Sequence, residues 1–455
     1  MRITGLLKMV NNFSYKNIKI YWSIIFTLLV IVAAVLISVA FSECKLYYKK
    51  ISQGNLKLFI TNSSIKFMIE EFQLERLKTI VEYAYRYSPF YRKLYKKANV
   101  KPDDIKRFSD IEKLPIVGMK ELRANWEEII ALPYKKFISS FQPKGNLPLK
   151  VVWDPLGKSY KEYVFVRNLL KLGYNPFYKT LVYSSRNFQR YFFNMFNLFR
   201  FITVNPKLSE REQLELMQKL KPKQLLYNPL TLFKIAKIAE EENIEIPKPN
   251  LLVTKSEILT PYVKDTIENA FCIKLKSLYG MEEVGFIAWQ NLEDYYRVNW
   301  DSVIVECLNL KNNEKIVEEN KYGRIIVTSL QNYAMPIIRY DTGDIATVGE
   351  NDGSVLKIKS IEGKYEDAVY LNGRIITPSV LTNDIIEEVK DLFILLLGKK
   401  KITLIASSNV NEERIKDILK KYNIKKPLRV VKEKAIPKTF SGKYCTIIKS
   451  LKGYI

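Results

Sequence analysis

Three short stretches hold the side chains best suited to chemistry. In Arg339-Tyr340-Asp341-Thr342-Gly343-Asp344 a carboxylate follows a glycine at the end of an expected turn. Asp344 could accept both hydroxyls of a ribose, the role an acid plays in dinucleotide folds. Arg339 could meet a phosphate or simply pair with an acid. Near the C-terminus, Pro437-Lys438-Thr439-Phe440-Ser441-Gly442-Lys443 carries a lysine in a Ser-Gly-Lys loop. Lys443 would be a mobile point charge able to stabilise negative charge growing on an oxygen. In Tyr279-Gly280-Met281-Glu282-Glu283-Val284-Gly285, Tyr279 offers a stacking face and Gly280 lets a flat ring approach the backbone. Glu283 there offers a hard oxygen for Mg²⁺ beside a phosphate. Each stretch also has a plain reading: an Asp-containing turn, an exposed basic loop, and a turn with solvated acids. Together, in this order, they suggest a lysine carried on a small terminal domain and delivered to a nucleotide held by a large one.

Composition narrows the chemistry. The 455 residues contain no histidine, which excludes a Ser-His-Asp triad, a Cys-His pair and any His-based metal site. Cys44, Cys272, Cys307 and Cys445 are far apart and show no CxxC spacing, so neither a zinc ribbon nor a disulfide framework is indicated. Catalysis must rest on carboxylates, lysine, arginine, hydroxyls and backbone amides. The net charge of +25 would attract phosphates, nucleic acid or anionic lipid. Its lysines are spread along the chain rather than gathered in a stripe, so no nucleic-acid partner is expected.

The elements that must position these residues alternate. Phe67 to Tyr87 reads as an amphipathic helix ending at Ser88-Pro89. Pro206 to Asn243 reads as two helices, one opened by a Ser209–Glu212 capping box and one by Asn228-Pro229. A strand at Leu251–Thr254, a helix opened by Thr260-Pro261 and a strand at Ile273–Leu278 follow, with Tyr279 just beyond the last strand. In open α/β sheets ligands bind beyond the carboxyl ends of strands. Gly323 to Leu330 is a further strand. In the tail, Lys401–Ala406, Asn411–Tyr422 and Leu428–Lys432 read as strand, helix and strand. The fold class is therefore α/β, with a large layered domain over 67–360 and a small α+β domain over 361–455. The many aromatics between Tyr160 and Phe201 read as core.

The N-terminal region divides into a tail (1–19), an uncharged run (20–41) and a polar linker (42–66). Ile20–Phe41 is 22 residues long, about 33 Å as a helix, enough to cross a hydrocarbon core, with Tyr21 and Trp22 at one interface. The expectation is one transmembrane helix serving as a membrane anchor. Two alternatives are a cleaved signal peptide ending near Ser38-Val39-Ala40 and a buried globular helix, the latter disfavoured by the lack of polar positions on one face.

The order, identity and spacing of these motifs resemble the AMP-forming adenylating enzymes, most closely the phenylacetate-CoA ligase branch and its CapK-like relatives. Ala84-Tyr85-Arg86-Tyr87-Ser88-Pro89-Phe90-Tyr91-Arg92, Leu114-Pro115-Ile116, Ser256-Glu257-Ile258-Leu259 and Asn372-Gly373-Arg374 resemble segments of that branch. The resemblance runs from about residue 70 to 450. It implies a large adenylate-forming domain and a small mobile C-terminal one. Tyr279 and Gly280 would line adenine, Glu283 would bind Mg²⁺, Asp344 the ribose, and Lys443 would serve adenylate formation. ATP and a small carboxylate would give acyl-AMP and pyrophosphate, with transfer to CoA or another acceptor. A role in surface polysaccharide synthesis would follow from the CapK-like relatives, with the catalytic part on the cytoplasmic side, where ATP is.

Two departures stand out. The family's Ser/Thr/Gly-rich phosphate loop corresponds to Ser139–Pro148. There Ser139, Ser140 and Gly145 keep the chemistry, Lys144 adds a point charge, Phe141 is bulky, and Pro143 lacks an amide donor. At the hinge, Lys364 stands where the family has arginine, and keeps the charge without the forked donor. The alternative reading is thus a degenerate relative acting as a binding or assembly protein.

Overall fold

Short aliphatic runs alternating with helices lay down a parallel sheet through the middle of the chain. The computed structural model describes residues 62–137, 149–185, 198–349, 356–371, 373–439 and 442–449. The Ile20–Phe41 run, most of the linker and the Ser139–Pro148 loop lie outside the described residues. Among the described residues no helix is long and apolar enough to cross a membrane.

Strands β1 (Thr180–Tyr183), β2 (Phe201–Val204), β3 (Gln224–Tyr227), β4 (Leu251–Lys255) and β5 (Lys276–Met281) pair in parallel in the order β2-β1-β3-β4-β5. The intervening helices start as their sequences dictate. Ser209 and Glu212 form the expected capping box on Glu210–Leu220, and Thr260 caps Pro261–Phe271. Pro229 occupies the first turn of Pro229–Glu241, but Asn228 makes no side-chain cap there.

Beyond β5 the sheet turns antiparallel. It continues through β6 (Gly285–Gln290), β7 (Tyr296–Val298), β8 (Val303–Leu308), β9 (Tyr322–Ser329), β10 (Tyr340–Val348) and β11 (Lys357–Lys364), in the spatial order β6-β7-β11-β10-β9-β8. A second body follows. The ribbon β12 (Val369–Leu371)/β13 (Arg374–Ile376) leads to a four-stranded sheet, β16-β15-β14-β17. Its members are β14 (Phe393–Leu397), β15 (Ile402–Ala406), β16 (Leu428–Lys432) and β17 (Ile447–Ile448). The helices Pro378–Val389 and Glu412–Lys421 accompany it.

The N-terminal helix spans Asn62–Tyr87 and ends before Ser88, which caps Pro89–Lys97. Its job is structural. Tyr91, fully buried, accepts a hydrogen bond from Ile338 N (3.0 Å) and donates one to Pro336 O (3.1 Å). Val117 N donates to Arg339 O (3.0 Å) and Asp341 N donates to Val117 O (2.9 Å). The entry segments thus clamp the start of β10. Of the aromatics between Tyr160 and Phe201, Phe165, Tyr174 and Phe201 lie in the core as expected, with Phe165 stacked on Phe286, whereas Phe177 and Tyr178 are exposed.

Candidate active site

Because β1, β3, β4 and β5 run in parallel, their carboxyl ends share one edge of the sheet, and Tyr183, Asn228, Lys255 and Glu282–Glu283 follow from those ends. Two sequence expectations change here. The strand read as Ile273–Leu278 is Lys276–Met281, so Tyr279 and Gly280 lie inside β5 rather than after it. The reason is Cys272, left-handed at the end of the preceding helix, which delays the strand. The Arg339–Asp344 stretch is not a terminal turn either. It lies at the start of β10, where the pairing with β9 breaks between Asp341 and Ile345.

That irregularity presents Asp344 to β11. Its Oδ1 lies 2.9 Å from Lys364 Nζ, and its Oδ2 accepts from Tyr279 Oη at 2.8 Å. Lys364 also donates to Thr342 O (2.9 Å). The Lys364 side chain is 45 % exposed, so this pair contributes little to stability and can exchange for a ligand. Tyr279 is buried with its hydroxyl on Asp344, and burial pushes its pKa well up, reinforced by the neighbouring carboxylate. Gly280 sits where β5 and β6 cross most closely: a Cβ there would press on Gly285 O.

Glu283 is 8 % exposed. Burial pushes its carboxyl up; its own backbone amide and the charges of Lys364 and Lys443 act against this. Among the described residues no three acids or cysteines gather as a metal cage. A single buried carboxylate beside lysines matches Mg²⁺ shared with phosphates rather than held by protein alone.

Lys443 reaches this edge from the second body. Its loop is closed by Thr439 N donating to Lys443 O (2.8 Å) and Lys443 N donating to Thr439 Oγ1 (3.1 Å). Tyr183 Oη donates to Gly442 O at 2.5 Å, and Tyr444 N donates to Glu257 Oε1 at 2.9 Å. Gly442 has φ +80°, and a Cβ on it would overlap the Pro206 ring. Further contacts fix the two bodies together. Lys234 pairs with Asp391 (2.8 Å), Asn383 Oδ1 accepts from Tyr262 N (3.0 Å), and Glu210 takes Tyr444 Oη (2.9 Å) and Lys438 Nζ (2.5 Å). Gly442→Ala should therefore undock the loop while both bodies stay folded. Limited proteolysis between 364 and 443 should accelerate with little change in far-UV circular dichroism; unchanged cleavage would refute the docking role.

Arg339 does not face the site. It is 4 % exposed and makes a bidentate pair with Glu306 (2.8 and 3.0 Å), while Nη1 donates to Glu112 O and Leu114 O (2.9 and 2.7 Å). Of its two possible roles, pairing with an acid is the one it performs. Ser139, Ser140, Lys144 and Gly145 lie outside the described residues.

Two groups at the site were not singled out as site residues in the sequence. Glu257 accepts from Asn228 Nδ2 (3.2 Å), Leu230 N (3.1 Å) and Tyr444 N, so it caps the helix Pro229–Glu241 in place of Asn228 and holds the lysine loop. Burial raises its pKa to about 7 against those donors and Lys443. An acid with a raised folded pKa stabilises the fold fully below its ordinary value of 4.5, and that contribution is lost as pH rises towards about 7. Glu257→Gln should flatten this limb: the wild-type Tm minus the variant Tm should decline between pH 4.5 and 7. A difference that is constant or grows with pH would contradict the assignment. Lys255, at the end of β4, is the second; its position just past a parallel strand was the available signal.

No protein-family model matches the chain. A phenylacetate-coenzyme A ligase of Escherichia coli (strain K12) is 23 % identical over 334 residues, covering 70 % of this chain and 76 % of that protein. Protein CapK of Staphylococcus aureus is 23 % identical over 356 residues, covering 70 % and 74 %. A crystal structure of 2-hydroxyisobutyryl-CoA ligase in the postadenylation state superposes with a TM-score of 0.66 at 17 % identity, over 88 % of this chain and 95 % of that one. The sheet order and the lysine-bearing second body agree with these likenesses: in sequence the chain is similar to phenylacetate-CoA ligases and to CapK, and its fold is that of an AMP-forming acyl-CoA ligase.

Proposed function

We propose that the protein activates a small carboxylate with ATP and passes the acyl group to CoA or another acceptor. The observation that carries this reading is Lys443 docked at the edge where Asp344, Tyr279, Lys364 and Glu283 meet. In the first step a carboxylate oxygen attacks the α-phosphorus and pyrophosphate leaves. Lys443 faces charge developing on the oxygens of that phosphoryl group. Asp344, with its hydrogen-bonding capacity now shared between Tyr279 and Lys364, is placed to take the ribose hydroxyls. Mg²⁺ held beside Glu283 would neutralise phosphate charge. In the second step the acceptor attacks the acyl carbonyl and AMP leaves. Lys364, the last residue of the large sheet, marks the hinge about which the small body would move between steps.

ATP–pyrophosphate exchange across a panel of aryl and fatty carboxylates tests this. Exchange above background with at least one member is expected; a protein that binds Mg²⁺-ATP yet exchanges with none would contradict it. The relatives named as CoA ligases support CoA as acceptor. The uncharged Ile20–Phe41 run supports a membrane tether, and use of ATP would put the catalytic part in the cytoplasm. A second reading, a non-catalytic assembly protein in surface polysaccharide synthesis, is favoured by Phe141 and Pro143 in the phosphate-loop stretch.

A further inference from the structure

We infer that Lys255 is a second anion-binding cation of this site, acting beside Lys443 on the phosphate groups of the bound substrate. The inference rests on the ligase reading for the identity of the anion, but its geometry stands apart from it. Lys255 ends β4 at the ligand edge of the parallel strands, and the following residue, Ser256, takes a left-handed conformation (φ 77°) that turns the chain away. The lysine side chain is half-buried, with Nζ donating to Tyr183 O at 3.3 Å. Tyr183 in turn donates through its hydroxyl to Gly442 O, so Lys255 and the loop that carries Lys443 meet on one tyrosine, and the two lysine charges act on each other.

Their charges oppose each other. Burial draws the Lys255 amine down to about 8, with the Lys443 charge adding to the effect; Glu282 and Glu257, facing it from the β5–β6 turn and from its own loop, act the other way. Two cations brought to one edge of the sheet favour a multiply charged anion between them. The sequence supplies the reason for a second cation. Phe141 and Pro143 deplete the phosphate-loop stretch of small residues and amide donors, and a lysine at the end of β4 adds positive charge to the site.

The test uses the full chain and inorganic pyrophosphate as the probe, titrated calorimetrically at pH 7. Lys255→Met should weaken pyrophosphate binding by about 10- to 100-fold, the range for a hydrogen bond between charged groups, and Lys255→Arg should restore most of it. Undiminished binding by Lys255→Met would overturn the inference, as would a wild-type protein that binds no pyrophosphate. Binding of pyrophosphate that depends on Lys255, in a protein that exchanges with no carboxylate, would uphold the anion site and remove the ligase reading alone. A second measurement needs no variant. Lys255 in the wild-type protein should be acylated by a brief pulse of acetic anhydride at pH 8, and pyrophosphate should protect it by at least several-fold; labelling unaffected by pyrophosphate would also overturn the inference.

Discussion

Lys443→Ala should lower the adenylation rate by about 10²–10³-fold, the usual cost of removing one preorganised transition-state contact. The fold should be unaffected, because only the side chain beyond Cβ is lost. The docking of the loop depends on backbone groups: Gly442 O on Tyr183, Tyr444 N on Glu257, and the Thr439 turn. None of these involves the lysine side chain. The expected signature is therefore a fall in kcat for ATP–pyrophosphate exchange, with Tm within a degree or two of wild type. If a preformed acyl-AMP is supplied, transfer to the acceptor should survive, since the lysine is assigned to the first step. Equal losses in both half-reactions would point to a positioning defect instead.

The largest effect on stability should come from Arg339→Met, five residues before Asp344 in the same motif. Arg339 and Glu306 are each 5 % exposed at the side chain and face each other through two hydrogen bonds. Burial already raises the Glu306 carboxyl pKa, and the Arg339 charge is the chief force holding it down. Removing the arginine leaves a buried acid uncompensated and strips the carbonyls of Glu112 and Leu114 of their donor. The cost should be about 3–5 kcal/mol, a Tm fall of roughly 5–15 °C. Replacing both partners, as Arg339→Met with Glu306→Leu, should recover part of it. Thermal unfolding of the four proteins in the cycle measures the coupling; additive losses would mean that the pair is not what matters.

The two ends of one motif therefore do different work, and the sequence could not separate them. Arg339 and Asp344 are both charged groups beside a glycine. Which one faces the Tyr279–Lys364 cluster depends on the break in pairing between β9 and β10, a feature without a local sequence code. The elements most legible were those with strong local signals. The capped helices at Ser209 and Thr260 and the apolar strand Leu251–Lys255 fall where propensity and capping place them. Strands β1 and β3 were not legible. Each is four residues long and fully buried, so neither shows alternation, and β3 lies inside a segment that reads as helix. Missing β1 hid Tyr183, and with it the meeting of Lys255 and the Lys443 loop. In the long antiparallel half β9 was read as Gly323 to Leu330, but the strand order was hidden, because it brings together strands far apart in sequence, as β7 beside β11. Glu257 was visible as part of a motif. Its work as a helix cap and a latch for Tyr444 needed the second body in place.

The central claim is that a carboxylate is activated as its adenylate. The most direct measurement uses a carboxylate labelled with ¹⁸O in both oxygens, ATP and Mg²⁺, with the released nucleotide weighed by mass spectrometry after the acceptor is added. AMP carrying one ¹⁸O is expected, because the attacking carboxylate oxygen stays on the α-phosphorus when the acyl group departs. Unlabelled AMP, or ADP as the nucleotide product of the carboxylate-dependent reaction, would contradict it.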